Sequence, residues 1–367
     1  MLTLAAGLRS HCRLAFAFQS TCATESLFAR AVALGGETFP LHWPEGDRSA
    51  ARRFTNWLRE RNFDIFHAHA GIGWEGHAGI TAARRAKIPV VVRTEHLPYL
   101  LVDARTQAQY RSTLRHVDCI VCVSREAAGT HIAAGVPSHM VRVIRNGIYA
   151  KHAVRSRPDV RAALGIRGDR KVILTVARMA KQKGYDDLLA AVPQIVARET
   201  RALFVWAGVG AERERLFRSS QELGLSDRIF FVGQRADVPD LMTAADLFVL
   251  PSLFEGLPLA VLEAMKADLP VIGTRVCGIS ETIVDDVTGR LARPGDPASL
   301  AAAILEALSE PKRTARWVSA ARRRVEHEFS AERMAQETLA LYDELLARSA
   351  AQADVVSSSS DAAVGVN

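Results

Sequence analysis

Short apolar runs alternate with helix-like segments along the whole chain of 367 residues. The runs are rich in β-branched and aromatic residues, and nearly all the segments between them are long enough for a helix. Parallel sheets need such crossovers, so the pattern predicts an α/β fold of doubly wound parallel sheets. The predicted strands of the first half are 13–18, 37–41, 64–69, 88–94, 119–124 and 139–144, and those of the second half are 171–177, 202–208, 228–233, 246–252, 269–274 and 289–294.

A polar stretch separates the two halves. Asn146-Gly147 marks a turn, charges follow it, and no apolar strand appears before Lys171, so we predict a linker near residues 146–165. Two doubly wound domains joined there would form a cleft at the carboxyl ends of their strands, where open α/β sheets bind ligands. The predicted segments are a first domain at 1–155, a second domain at 156–329, a helix at 330–349 and a small, serine-rich, disordered tail at 350–367.

The charge of the chain is unevenly distributed. The net charge is +7, and residues 1–166 alone carry +10. The first half therefore suits an acidic partner such as a phosphorylated acceptor, an anionic membrane surface or nucleic acid, although an arginine-rich solvated surface explains it equally well. No stacking-aromatic motif accompanies the arginines, so we do not expect nucleic acid to be the partner. Apolar runs are too short for a spanning helix, and we expect a cytoplasmic protein.

The segment 251–265, PSLFEGLPLAVLEAM, joins a predicted strand to a predicted helix and carries two carboxylates. Pro258 suits the first turn of that helix, where an N–H would have no helical partner. Amides at a helix start attract anions, so a phosphate could bind there. The amides concerned belong to Gly256, Leu257 and Leu259.

The two carboxylates suit the rest of such a ligand. Glu263 lies inside the helix, where it could accept two hydrogen bonds from a vicinal diol such as a ribose. Glu255 lies in the loop, from which it could reach hydroxyls on a group joined to the phosphate. A phosphate, a ribose and a further hydroxylated group together describe a nucleotide sugar. Two ordinary surface glutamates are the alternative.

Two further loops follow predicted strands of the second half and fit the same ligand. VARMAKQKG supplies Arg178 and Lys183, which could neutralise a diphosphate. WAGVG places Gly208 and Gly210 where a backbone can approach a ligand closely. Taken singly, each loop also fits an ordinary solvated turn.

In this order, the segments resemble glycosyltransferase family 4, the retaining GT-B-fold enzymes that use nucleotide-activated sugars. The matching stretches are VARMAKQKGYDDLL, FVWAGVGAERERL, FFVGQRADVPDLMTAADLFVLPSLFEGLPLAVLEAMKADLPVIGT and GISETIVDDVTGRL. The resemblance implies a GT-B fold, in which two Rossmann-like domains face each other across a cleft. It also implies that the first domain binds the acceptor, that the second binds the donor, and that the helix at 330–349 packs back on the first. A helix that closes its own domain is the alternative.

The resemblance also assigns roles to individual residues. It implies that Glu263 holds the ribose, that Glu255 contacts the donor sugar, and that Arg178 and Lys183 bind the diphosphate. Main-chain groups near Gln234 and Arg235 are expected to contact the base.

The first half resembles the acceptor domain of the family through DIFHAHAGIGWEGH, VVVRTEHLPY, CIVCVS and VIRNGI. The active-site histidine of the family maps onto His96, which could hydrogen-bond the donor sugar beside the reacting carbon. A structural loop histidine is the alternative. A metal cluster could be drawn from four nearby side chains, but we favour packing, and the resemblance implies no metal. These side chains are His67, His69, Glu75 and His77.

The sequence departs from the family pattern in two places. Family members usually begin with a strand and a glycine-rich loop, whereas Met1 here falls within the helix that follows, so the first strand is absent from this sequence. Tyr149 stands where an acidic residue is common.

We therefore predict a metal-independent, retaining hexosyltransferase that needs no cofactor. It would move a sugar from a nucleoside diphosphate donor, with uridine diphosphate favoured over guanosine diphosphate mannose. The acceptor would be a hydroxyl of a lipid-linked saccharide or a polysaccharide, as in polysaccharide or lipopolysaccharide biosynthesis at the inner face of a membrane. The alternatives are a nucleotide-sugar epimerase of the same architecture and an inactive, truncated protein that binds sugar nucleotides.

Overall fold

The computed structural model describes residues 1–21, 24–42, 47–71, 75–149 and 152–362. Each of the twelve predicted strands overlaps an observed one, so the prediction of alternating strands and helices is confirmed. The strands are β1 (Ala15–Gln19), β2 (Glu37–Leu41), β3 (Ile65–Ala70), β4 (Val90–Glu95), β5 (Cys119–Cys122), β6 (Val141–Val143), β7 (Lys171–Val176), β8 (Ala202–Ala207), β9 (Ile229–Gly233), β10 (Leu247–Leu250), β11 (Val271–Thr274) and β12 (Arg290–Ala292).

Helices occupy most of the connections between these strands. They are α1 (Leu2–Leu8), α2 (Glu25–Ala33), α3 (Arg48–Arg61), α4 (His77–Arg85), α5 (Ala104–Leu114), α6 (Arg125–Ala133), α7 (Arg157–Ala163), α8 (Tyr185–Arg198), α9 (Arg213–Glu222), α10 (Val238–Ala244), α11 (Leu259–Lys266), α12 (Ile279–Thr282), α13 (Pro297–Ser309), α14 (Pro311–Glu328) and α15 (Ala331–Ala362). Within the described ranges, none of these helices is long and apolar enough to cross a membrane.

The chain forms two compact units. The first comprises Met1–Val123, Ala127–Gly147 and the chain from Ala331 onwards, and the second comprises Ser124–Glu126 and Ile148–Ser330. The change from one unit to the other after Gly147 falls inside the stretch that the sequence predicts to be a linker.

Part of that predicted linker is nevertheless an ordered helix of the second unit, α7. The side chain of Ser156 caps it by accepting a hydrogen bond from the backbone N–H of Asp159, and Val160 is buried. The pattern of apolar positions did not predict α7, because this helix is rich in charged residues and buries little apolar surface.

The second unit is built on one parallel sheet with the strand order β12-β11-β10-β7-β8-β9. The chain runs outwards from β7 to β9 and then returns to β10 on the other side of β7. The loops after β7 and β10 therefore part in opposite directions, and such a point is where open α/β sheets bind ligands. Large side chains fill the core around the central strands, among them Ile173, Phe204 and Trp206.

The first unit contains two separate parallel sheets, β1-β2 and β3-β4-β5-β6. Among the described residues, no strand joins β1 to β3. Helix α1 begins at Leu2, in agreement with the sequence, and contacts both parts. Leu4 and Leu8 pack in the apolar cluster of β4 and β5, whereas Leu2 and Ala5 pack against β1.

The last helix, α15, packs within the first unit. Met334, Leu341, Tyr342 and Leu345 share an apolar cluster with residues of β4 and β5, and they belong to the apolar face that the sequence predicts. The helix continues to Ala362, past the point where the sequence predicts a disordered tail. No glycine or proline interrupts it, and residues 363–367 of the predicted tail lie outside the described residues.

Removing one apolar side chain of α15 should destabilise the first unit. Leu345 is 3% exposed, so Leu345→Ala should lower the free energy of unfolding by about 2–5 kcal/mol, which urea denaturation would measure. Leu223→Ala is the matched control, because Leu223 is 53% exposed and should change the stability by less than about 0.5 kcal/mol. Equal effects of the two substitutions would show that α15 contributes nothing to the core.

Candidate active site

The predicted donor-site residues of the second unit lie at one edge of its sheet. Arg178 and Lys183 follow β7, and Gly208 and Gly210 follow β8. Gln234 and Arg235 follow β9, and Glu255 follows β10. Because β7 to β10 run parallel, their carboxyl ends meet at this edge, on both sides of the switch between β7 and β10.

An ion pair joins the loop after β7 to the loop after β10. Lys183 Nζ donates a hydrogen bond to Glu255 Oε1, and Ser252 Oγ donates to the same oxygen at 2.8 Å. The side chain of Glu255 is only 6% exposed, and a carboxylate so far from water must be compensated by such partners. Two residues that the sequence analysis assigns to different parts of the ligand therefore contact each other. Ser252 is not among the predicted site residues, although it lies in the same segment, 251–265.

Backbone contacts reinforce the same junction. The amide of Leu253 donates to the carbonyl of Gln182 at 2.7 Å, and the side-chain amide of Gln182 donates to the carbonyl of Phe254 at 3.0 Å. Gly184 has a φ of +65°, and a Cβ added there would lie 1.8 Å from the carbonyl oxygen of Pro251. Only glycine lets the two loops approach this closely.

The sequence predicts that Gly208 and Gly210 let the backbone approach a ligand closely, and in the structure both glycines lie against the backbone of the loop after β7. A Cβ at Gly208 would lie 2.0 Å from the carbonyl oxygen of Ala177, and one at Gly210 would lie 2.2 Å from that of Met179. These two glycines thus support the loop that carries Arg178. Arg178 itself is exposed and forms no ion pair with any described residue.

The helix that carries Glu263 begins one residue later than the sequence predicts. Pro258 is the N-cap of α11 with a φ of −77° and a ψ of 114°, so it precedes the first helical turn. Leu259 opens the helix and is 43% exposed, whereas Leu257 is 5% exposed. Glu263 lies about one turn further on and is half-buried.

In the segment that is predicted to contact a base, the side chain of Arg235 is held by an ion pair. Arg235 donates to both carboxylate oxygens of Asp237, at 2.8 and 2.7 Å. Arg155 also binds Asp237, and it donates to Asp240 at 2.9 Å. The guanidinium of Arg155 lowers the pKa of Asp240 by hydrogen bonding, and that of Arg235 lowers the pKa of Asp237 in the same way. Gln234 is exposed beside this network.

Three histidines lie together in the first unit. His67 and His69 share one face of β3, and their rings stack with centroids 4.5 Å apart. His96 follows β4 directly, and its ring stacks on His69 at 5.3 Å. Desolvation by burial lowers the pKa of His67 to about 3 and that of His96 to about 4, and it also lowers the pKa of His69. The rings are therefore neutral at neutral pH.

Other side chains bind these histidines. His67 Nδ1 lies 2.6 Å from the hydroxyl of Tyr342, and His67 Nε2 lies 2.6 Å from that of Thr94. Among the described residues, no three His, Cys, Asp or Glu side chains are grouped in a way that could hold a metal ion. The predicted packing of His67 and His69 is thus present, but with hydrogen bonds that the sequence did not indicate.

Two family models match the chain over successive ranges. The model described as Glycosyltransferase Family 4 matches residues 2–151, and the model described as Glycosyl transferases group 1 matches residues 156–324. The chain belongs to glycosyltransferase family 4. The prediction from the sequence motifs is therefore confirmed, and so is the two-domain GT-B fold of this glycosyltransferase.

Several relatives support this assignment. The glycosyltransferase is 25% identical over 308 residues to N-acetyl-alpha-D-glucosaminyl L-malate synthase of Bacillus anthracis, which covers 83% of this chain and 81% of that protein. It is 35% identical over 282 residues to 2-deoxystreptamine N-acetyl-D-glucosaminyltransferase of Streptomyces fradiae, which covers 70% and 66%. The crystal structure of Anabaena HepE in complex with UDP-glucose has the same fold, with a TM-score of 0.81 at 22% identity over 94% of each chain.

Adding a methyl group at Gly184 should disrupt the junction between the two loops of this glycosyltransferase. Gly165→Ala is the matched control, because Gly165 has a similar φ of +69° with no atom within 4 Å of an added Cβ. The free energy of unfolding of the control should therefore fall only by the cost of placing alanine in a left-handed backbone conformation, about 1–2 kcal/mol. Gly184→Ala carries the clash in addition, so urea denaturation should show a larger loss. If Gly184→Ala lowered the free energy of unfolding no more than Gly165→Ala does, the close approach of Gly184 to Pro251 would be contradicted.

The neutral histidines should make the protein sensitive to acid. Their native pKa values lie below the ordinary value of 6.5, so the unfolded chain binds protons that the native chain does not. Stability should therefore fall as the pH falls through 6.5 towards about 4. In His67→Gln this dependence, measured by urea denaturation at several pH values, should be shallower. Equal slopes in both proteins would contradict the burial of a neutral His67.

Proposed function

We propose that the protein transfers a hexose from a UDP-sugar to a hydroxyl of a lipid-linked saccharide or polysaccharide, with retention of the anomeric configuration. The observation that carries this proposal is the Lys183–Glu255 junction at the switch point of the second sheet. It places a cation beside a carboxylate that can bind hydroxyls, at the edge where α/β sheets bind ligands. The reaction needs neither a cofactor nor a metal ion.

The choice of uridine diphosphate rests on similarity and on the site. HepE, which has the same fold, is seen in complex with UDP-glucose. In the proposed site, Glu263 holds the ribose, main-chain groups near Gln234 and Arg235 meet the base, and Gly208 and Gly210 support the diphosphate loop. The amides of Gly256 and Leu257, in the loop before α11, and of Leu259, its first residue, would bind a phosphate.

Catalysis would come mainly from stabilising the departing diphosphate. An ammonium group has three N–H donors, so Lys183 can keep its bond to Glu255 and still donate to phosphate oxygens. Arg178 adds a second cation from the same loop. Charge that develops on the leaving group is best matched by such preorganised donors in a site with little water.

Glu255 would position the donor sugar. Both hydrogen bonds that Glu255 accepts from described residues use Oε1, which leaves Oε2 for a sugar hydroxyl. A carboxylate already paired with Lys183 is a weak nucleophile, which favours displacement without a covalent intermediate. The departing phosphate would then assist the deprotonation of the acceptor. His96 would hydrogen-bond the sugar beside the reacting carbon as a neutral imidazole.

The proposed acceptor class rests on the net charge of +10 that residues 1–166 carry. This surplus of basic residues suits an acceptor joined to a pyrophosphate, or a membrane surface that is itself anionic. Among the relatives, the gpi3 subunit of Schizosaccharomyces pombe is a phosphatidylinositol N-acetylglucosaminyltransferase, which is 29% identical over 247 residues that make up 52% of its length. A lipid-linked acceptor is therefore the one to test first.

Glu263→Ala and Lys183→Ala should each lower kcat for transfer by about 100-fold or more, because each removes a group that stabilises the bound donor or its leaving group. Lys266→Ala is the matched control, since Lys266 lies on the same helix but pairs with Glu326. The measurement is the release of UDP, followed by mass spectrometry, from a panel of sugar nucleotides with lipid-linked acceptors.

Calorimetric titration with UDP separates binding from chemistry. Lys183→Ala also leaves Glu255 without its cation, so circular dichroism should first show that the variant is folded. Near-wild-type transfer by both variants would refute the assignment of the site. Binding of UDP without transfer to any acceptor would instead indicate an inactive sugar-nucleotide-binding protein, and release that needs no acceptor would indicate an epimerase or hydrolase.

A further inference from the structure

The contact between His69 and His96 is the strongest feature of the first unit that the proposed reaction leaves unexplained. His69 Nδ1 lies 3.0 Å from His96 Nε2. Strand pairing fixes the two backbones, because His69 is paired with Thr94 and the amide of His96 donates to the carbonyl of Ala70 at 2.8 Å. The side-chain contact is thus set by the register of β3 on β4.

One proton must lie between the two ring nitrogens. A neutral imidazole has one N–H and one lone pair, so one of the two rings donates and the other accepts. Burial keeps the pKa of both rings low, and a charged pair of donors facing each other is excluded at neutral pH. Only two arrangements remain, and each fixes the tautomer of both histidines.

The two arrangements differ in what His96 offers to a ligand. If His69 donates, both rings carry their proton on Nδ1. If His96 donates, both rings carry it on Nε2, which is the intrinsically preferred tautomer of neutral imidazole. The second arrangement is therefore favoured, and it leaves the lone pair of His96 Nδ1 available as an acceptor.

We infer that His69 is a positioning residue, which accepts a hydrogen bond from His96 Nε2 and so presents His96 Nδ1 as an acceptor for a hydroxyl of the donor sugar. The part that concerns the sugar rests on the proposed function, whereas the tautomer does not. Sugar hydroxyls are both donors and acceptors, so a fixed acceptor selects the orientation of the hydroxyl that it binds.

The ring of His69 is itself held in place by His67. The two rings stack 4.5 Å apart with an angle of 19° between their planes. His67 is anchored at both nitrogens by Tyr342 and Thr94. Tyr342 lies on α15 and Thr94 on β4, so elements distant in sequence fix the stack. This rigidity is what a positioning residue requires, because a loose acceptor would not select one orientation.

Two substitutions at His69 separate the hydrogen bond from simple packing. Asparagine can place its Oδ1 near the position of His69 Nδ1 and still accept from His96, whereas leucine fills the space without an acceptor. His69→Leu should lower kcat by about 10-fold, the equivalent of one lost hydrogen bond, with a smaller change in KM for the donor. His69→Asn should recover most of that loss. An equal loss of kcat in both variants would show that His69 contributes only by packing.

The tautomer can be read directly in the full-length protein labelled with nitrogen-15 in histidine. In wild type, His96 should carry its proton on Nε2, with the assignment made by the loss of its signals in His96→Gln. His69→Asn should keep this pattern and His69→Leu should lose it. A proton on His96 Nδ1 in wild type would overturn the inference. His139→Leu is the control, because His139 is exposed, and it should change neither the signals of His96 nor the rate.

Failure of the proposed function can be told apart from failure of this inference. If wild type neither binds UDP in calorimetry nor transfers a sugar, the proposed function is wrong, and the nitrogen-15 spectra still decide the role of His69. If wild type binds and transfers but His69→Leu retains both the tautomer and the rate, only the inference is wrong.

Discussion

The ion pair between Lys183 and Glu255 is the interaction on which the second unit's site depends. It connects the two loops that part at the switch between β7 and β10, and Ser252 completes the shell around the carboxylate. A buried carboxylate without these partners would be costly, so the pair fixes both loops. Gly184 also allows the backbones of the two loops to pack closely at Pro251. The ion pair and this backbone contact therefore stabilise the same junction.

This pairing also shapes how a diphosphate would be bound. A lysine held by a buried carboxylate does not need to be recruited from solvent, so little side-chain entropy is lost when phosphate arrives. The carboxylate, however, lowers the net charge of the junction to near zero. In the proposed reaction, Arg178, which is exposed on the same loop, would supply the charge that distinguishes a diphosphate from a neutral ligand. The two cations would then have different roles, Lys183 in geometry and Arg178 in charge.

Sequence patterns predicted the strands and the order of the donor-site loops, because both follow from local periodicity and from motifs that are contiguous in the chain. They did not predict α7, whose helix depends on the cap at Ser156 more than on an apolar face. The bond from Lys183 to Glu255 was also out of reach, since two loops far apart in sequence meet only once the sheet has formed. The same holds for Tyr342 and His67, which belong to α15 and β3.

The two units present different chemistry. The second unit offers cations and helix amides, which match phosphates. The first offers imidazoles that burial keeps neutral, so they can exchange hydrogen bonds with uncharged hydroxyls without a cost in charge separation. A protonated histidine beside a carbon that gains positive character would oppose the reaction. Low histidine pKa values are therefore a property that a transfer passing through a cationic sugar would require, and the burial of the three rings maintains them.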